Sequence, residues 1–164
     1  MENEIKTTNE ENEINTPNKK RFKILLVIIL FFFILGYFVS FIMVSGNSMS
    51  PTLKNGSFHI LVKHFYTVER NDVIAVYSKE AHKNLIKRVI GLPNETVEFK
   101  DNQLYINNQL VEDNYAFGKT SDFTIVLKDD EYFCLGDNRE HSLDSRTYGA
   151  FNKKDIIGEM IGGD

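Results

Sequence analysis

The sequence predicts a mostly β domain, small and folded as a coiled or barrel-like sheet, behind a single N-terminal membrane-spanning helix. Three observations carry that prediction. Ile24 to Val44 is a run of 21 residues without a charge. Beyond it, short β-branched and aromatic runs alternate with turn signals. Nothing in residues 45–164 sustains apolar spacing at 3.6 for more than a turn or two.

The 164 residues leave room for one domain and little else. Residues 1 to about 18 are polar, with Glu2, Glu4, Glu10, Glu11 and Glu13 and almost nothing to bury. Such a segment cannot offset its ordering entropy, so residues 1–23, including a basic flank, are expected to form a disordered tail.

Residues 24–44 form the expected span. As a helix they measure about 31 Å, close to the hydrocarbon thickness of a bilayer. A cleavable leader has an apolar core of only about 7–15 residues ending in a small-x-small site. This run is longer, and Phe38-Val39-Ser40-Phe41-Ile42-Met43 offers no such site. A domain this small also has no core able to surround an all-apolar 21-mer. Lys19, Lys20, Arg21 and Lys23 precede the run, whereas Ser45-Gly46-Asn47-Ser48 after it carries no charge. Positive charge stays inside, so the N-terminus is expected in the cytoplasm and residues 45–164 outside.

Within 45–164, strands are expected at Phe58–Val62, Asp72–Tyr77, Leu85–Ile90, Thr96–Phe99, Leu104–Ile106, Phe123–Leu127 and Tyr132–Leu135. Turn signals separate them at Lys54-Asn55-Gly56, Leu92-Pro93-Asn94, Lys100-Asp101-Asn102 and Ile106-Asn107-Asn108. Lys153 to Met160 reads as a last helical turn or an edge strand.

Composition narrows the chemistry. A net charge of −4 argues against nucleic acid, whose phosphates need concentrated positive charge. The single cysteine, Cys134, excludes an internal disulfide and any multi-cysteine metal site. It lies in Tyr132-Phe133-Cys134-Leu135 and is expected in the core.

Three clusters could react. Ser48 follows Gly46-Asn47 and precedes Pro51, so it is held in a turn whose N–H groups could face an oxyanion. A plain turn explains the same residues. A serine nucleophile needs a base, and none of His59, His64, His82 or His141 sits in a motif that would orient it. Lys87 lies mid-strand, sharing a face with Leu85 and Val89. Burial there could lower its pKa from about 10.4 to about 7.5, at roughly 4 kcal/mol. A snorkelling surface lysine is the plainer alternative. The third cluster, Gly136 to Gly149, is dense in hydroxyls, carboxylates and guanidinia. Two Asp-x-Arg placements, Asp137/Arg139 and Asp144/Arg146, suit ion pairs that lock a loop. With arginines adjacent, both carboxylates should stay ionised, which removes a glycosidase-like general acid.

Together these clusters resemble the type I signal peptidases, serine proteases with a Ser/Lys dyad. Gly46-Asn47-Ser48-Met49-Ser50-Pro51-Thr52-Leu53 is similar to the family's G-x-S-M-x-P-T-L box. Asn71-Asp72-Val73-Ile74-Ala75-Val76 resembles its G-D-x-V strand, with Asn71 in place of glycine. Lys87 to Pro93 matches the lysine box, and Gly136 to Gly149 matches G-D-N-R-x-x-S-x-D-S-R-x-x-G. The aromatic C-terminal ending expected of the family is replaced by Ile157-Gly158-Glu159-Met160-Ile161-Gly162-Gly163-Asp164.

The resemblance implies Ser48 as nucleophile, Lys87 as general base and Ser142 as the hydroxyl that orients the lysine. It implies a loop-holding salt bridge between Asp144 and Arg146, and an oxyanion donor in the Ser48 N–H. Val44, Met49, Leu53 and Ile86 match positions that shape small apolar pockets, which implies cleavage after Ala-x-Ala-like residues. Secretory preproteins are the implied substrates and membrane lipid the surroundings. No metal or other cofactor is implied, and a monomer is expected. A binding protein without activity is the competing reading, and the co-occurrence of Ser48, Lys87 and Ser142 weighs against it.

Overall fold

The computed structural model describes residues 19–64 and 66–162. The predicted disorder of residues 1–18 lies outside them. The described residues divide into two units that part between Leu35 and Gly36.

One helix, α1 (Lys19–Phe38), carries the apolar run. Its bounds correct the expected 24–44 at both ends. Lys19 to Lys23 belong to the helix rather than to a disordered tail, because Lys and Arg are good helix formers with no breaker among them. At the other end, Val39–Met43 is a strand, β1. Its backbone pairs antiparallel with β2 (Phe58–Val62), from Val39 opposite Val62 to Met43 opposite Phe58. Tertiary pairing overrides the helical continuation that the apolar composition suggests.

The remaining strands are β3 (Val73–Ser78), β4 (Lys83–Gly91), β5 (Thr96–Lys100), β6 (Gln103–Ile106), β7 (Gln109–Val111), β8 (Phe123–Val126), β9 (Glu131–Leu135), β10 (Phe151–Asn152) and β11 (Ile156–Met160). They make a larger antiparallel sheet in the order β1-β2-β11-β3-β4-β9-β10 and a smaller one in the order β7-β6-β5-β8. The mostly β architecture is thus as the sequence predicts, realised as two sheets. Asp101-Asn102 and Asn107-Asn108, all at positive φ, close the β5–β6 and β6–β7 hairpins. Two left-handed residues match the twist of a two-residue hairpin loop, and Asn tolerates that region best after Gly.

The C-terminal segment departs from expectation. Lys153–Asp155 is a single 3-10 turn, and β11 then runs inside the larger sheet between β2 and β3 rather than at its edge.

Alternation along the strands divides the core. Tyr132 and Cys134 of β9 join Ile74, Val76, Leu85 and Val89 on one side. Phe133 and Leu135 point the other way, towards Ile90, Val97, Phe99 and Leu104, where the two sheets meet. A third cluster, Val44, Met49, Leu53, Val73 and Met160, underlies the β1–β2 connection.

Candidate active site

Lys87 projects from the middle of β4 and is only 2% exposed. Its neighbours Leu85 and Val89 are core residues of one cluster, as the period-2 reading of this strand requires. The amine reaches out of that cluster to Ser48. Nζ donates to Ser48 Oγ at 2.8 Å and to the Ile86 carbonyl at 3.0 Å. Burial drives the Lys87 pKa down from its ordinary 10.5 to about 8. The Asp144 charge opposes that fall, and Lys83 adds to it.

Ser48 belongs to the connection between β1 and β2. Among the described residues its N–H donates to no backbone or side-chain acceptor. Its carbonyl accepts from the Asn138 N–H at 3.0 Å, and Asn138 Nδ2 donates to the Asn47 carbonyl at 3.2 Å. The loop after β9 therefore grips the serine segment by its backbone.

That loop is built around charge. Asp144, fully buried, accepts from Arg146 Nε at 2.9 Å and Nη2 at 2.8 Å, and from the Gly136 N–H at 3.0 Å. Burial works against ionising this carboxyl, but the Arg146 and Gly136 bonds outweigh it and hold its pKa below the usual carboxylate range. Asp144 also caps the short helix α2 (Ser145–Tyr148) through the Arg146 N–H. Gly136 has no room for a side chain. A Cβ there would stand 2.2 Å from Ser142 Oγ and 2.5 Å from the Ser48 carbonyl.

The Asp144/Arg146 pair is the one anticipated from Asp-x-Arg spacing; Asp137/Arg139 is not. Asp137 instead makes a two-pronged bond with Arg88, both side chains fully buried, at 2.9 Å to each oxygen. Arg139 turns to Asp113. A guanidinium fork two residues from a carboxylate can fold back on it, but full burial selects whichever partner the packing aims at it. Sequence reasoning missed Asp113, Asn138 and the role of Arg88. Alternation along β4 was the available clue for Arg88, since it puts a second charge on the face opposite Lys87 and so demands a buried acid.

Ser142 lies in the same loop with its Oγ buried; no partner meets it at full hydrogen-bond geometry among the described residues, yet its hydroxyl stands close enough to Asp144 to help hold that carboxyl's pKa down. Lys87 Nζ bonds Ser48 Oγ and the Ile86 carbonyl, and no bond joins it to Ser142 among the described residues.

A cavity of about 350 Å³ opens beside the serine, lined by Ile42 to Ser45, Ser48, Met49 and Lys83 to Lys87. Of the four residues expected to shape small pockets, Val44, Met49 and Ile86 line it. Leu53 packs behind Val44 and Met49 in the cluster beneath. Cys134 is buried, and burial pushes its thiol pKa up, away from the reactive thiolate.

Comparison with known proteins shows the family. The family described as "Signal peptidase, peptidase S26" matches residues 19–161. Signal peptidase I P of Bacillus subtilis subsp. natto is 35% identical over 151 residues, covering 82% of each chain. Signal peptidase I V of Bacillus subtilis is 39% identical over 136 residues, covering 70% of this chain and 79% of that one. A crystal structure of a signal peptidase I from Enterococcus faecalis superposes with a TM-score of 0.54 at 34% identity, covering 58% of this chain and 98% of that one.

Proposed function

The chain belongs to the signal peptidases of peptidase family S26, and from that premise we propose that Ser48 and Lys87 are its catalytic dyad. It is a serine endopeptidase of the signal peptidase I type, acting on the signal peptides of secretory preproteins. The observation that carries the dyad is the 2.8 Å contact between a buried amine and a half-buried hydroxyl.

With the amine neutral, the roles at that contact reverse, and the Ser48 O–H donates to Nζ while one amine hydrogen stays on the Ile86 carbonyl. Ser48 Oγ attacks the scissile carbonyl as Lys87 takes its proton. The developing oxyanion is met by the unengaged Ser48 N–H. The ammonium then returns the proton to the leaving amine, and water repeats the cycle on the acyl-enzyme. Ser142 is the hydroxyl to which the lysine turns once Ser48 is acylated, and the Asp144–Arg146 pair holds the loop that presents it.

Cleavage follows small residues in an Ala-x-Ala pattern. Val44, Met49 and Ile86 narrow the cavity, Leu53 backs its wall, and an extended substrate lies along β4 as an added strand. Helix α1 (Lys19–Phe38), 20 residues and about 30 Å long, crosses the bilayer as a single pass, with its basic first turn at the cytoplasmic face and the β domain outside. The β1–β2 hairpin supports contact with lipid, because the cross-strand pairs Phe41/Ile60 and Met43/Phe58 expose apolar side chains.

Detergent-solubilised protein incubated with a secretory precursor tests the assignment. Wild type releases the mature protein, and Ser48→Ala does not. Equal cleavage by both would remove Ser48 from the mechanism.

A further inference from the structure

The two partners of the dyad are anchored to different parts of the fold. Lys87 is fixed in β4, whereas Ser48 rides on a connection whose backbone is held by Asn138. Whatever fixes Asn138 therefore contributes to the distance between them, beside the packing of Val44, Met49 and Leu53.

Residues 113–120, the segment after β7, lie across the loop on both sides of Asn138. Asp113 takes the buried Arg139 guanidinium with both oxygens, at 2.5 Å from Nη1 and 2.9 Å from Nη2. The Phe117 N–H donates to the Asp137 carbonyl and the Phe117 carbonyl accepts from the Arg139 N–H, each at 2.8 Å. The Tyr115 ring lies under the Arg88 guanidinium, 3.6 Å from its centroid, and Arg88 in turn holds Asp137. The segment is a strap, and Asp113 is its charged anchor. Without that carboxylate Arg139 would be a buried cation lacking its acid, and the loop would have to move to rehydrate it.

We infer that Asp113 is a positioning residue for proteolysis, acting through Arg139 and Asn138 to set the Ser48 backbone against Lys87. The inference rests on the dyad reading above. Its signature separates positioning from mere support of the fold. The cavity beside the serine is lined by residues 42–45, 48, 49 and 83–87, whereas the strap bonds to Asp137, Arg139 and Glu140. Loosening the strap should then slow the chemical step without weakening substrate binding.

The test uses the full chain in detergent micelles with a fluorogenic signal-peptide substrate, and rates normalised to the folded fraction. Asp113→Ala and the isosteric Asp113→Asn should each lower kcat by roughly tenfold or more, the size expected of sub-ångström to ångström misplacement of a reacting group. KM and the pH midpoint of the rate should stay within about twofold and a few tenths of a unit. Asp113→Glu, which keeps the charge, should recover part of kcat. Wild-type kcat in both Asp113→Ala and Asp113→Asn, a loss that vanishes on normalisation, or an effect carried by KM would each overturn the inference. A Ser48→Ala control that cleaves like wild type would instead overturn the dyad reading, so the two failures are told apart.

Discussion

Lys87 Nζ and Ser48 Oγ are 2.8 Å apart although 39 residues separate them in the chain. The amine stands 2% exposed on the apolar face that also carries Leu85 and Val89, and that burial lets it lose its proton near neutral pH. Placing it there has a stability cost, and the cost can be measured.

In the unfolded chain Lys87 titrates at its ordinary value near 10.5, and in the fold at about 8. Between those values the unfolded state binds more protons, so stability rises with pH across that window. Below about pH 8 both states are protonated and the penalty is fully present, of order 3 kcal/mol. Lys87→Met removes the titrating group. Urea unfolding from pH 7 to 10 should show the variant more stable than wild type at pH 7, with the gap closing as pH rises. A pH-independent difference would contradict the burial argument.

Gly136→Ala should inactivate the protein. The added methyl would meet Ser142 Oγ at 2.2 Å and the Ser48 carbonyl at 2.5 Å, so the serine segment or the loop must shift. A displacement of about 1 Å at a reacting group can cost about a hundredfold in rate. Precursor cleavage by Gly136→Ala, compared with wild type at equal folded concentration, checks this.

Asp144→Ala leaves Arg146 half-dehydrated and the buried Gly136 N–H without an acceptor. Breaking a buried pair from one side costs about 3 kcal/mol or more, so the melting temperature should drop by several degrees. The sign with pH is fixed by the depressed carboxyl. Its contribution is complete above the ordinary carboxylate value and fades as pH falls through the folded one. Wild type and Asp144→Ala should therefore converge in stability under acid conditions.

How legible these features were depended on whether their cause was local. The expected strand Phe58–Val62 and those around Val73–Ser78 and Thr96–Lys100 announce themselves by β-branched and aromatic runs and by Asn-rich turns. The position of Lys87 on an apolar face follows from period 2 alone. β1 was hidden because its five residues prolong an apolar run that reads equally as helix, and only pairing with β2 decides between them. β11 was hidden because its register shifts between Ile156 and Gly158, which breaks the alternation. At Gly158 a Cβ would stand 2.4 Å from the Val62 carbonyl, so glycine lets the neighbouring backbone approach. The choice of Asp113 and Arg88 as partners of Arg139 and Asp137 spans 26 and 49 residues, and no local pattern encodes it.

The pH dependence of kcat/KM, measured on the detergent-solubilised full chain, addresses the neutral amine most directly. The rate should climb as pH passes through about 8, the point at which Lys87 gives up its proton in the fold. Lys87→Arg should show no activity at any pH, since a guanidinium does not deprotonate in a protein. A midpoint near 10.5, or appreciable cleavage by Lys87→Arg, would contradict the assignment of Lys87 as the base.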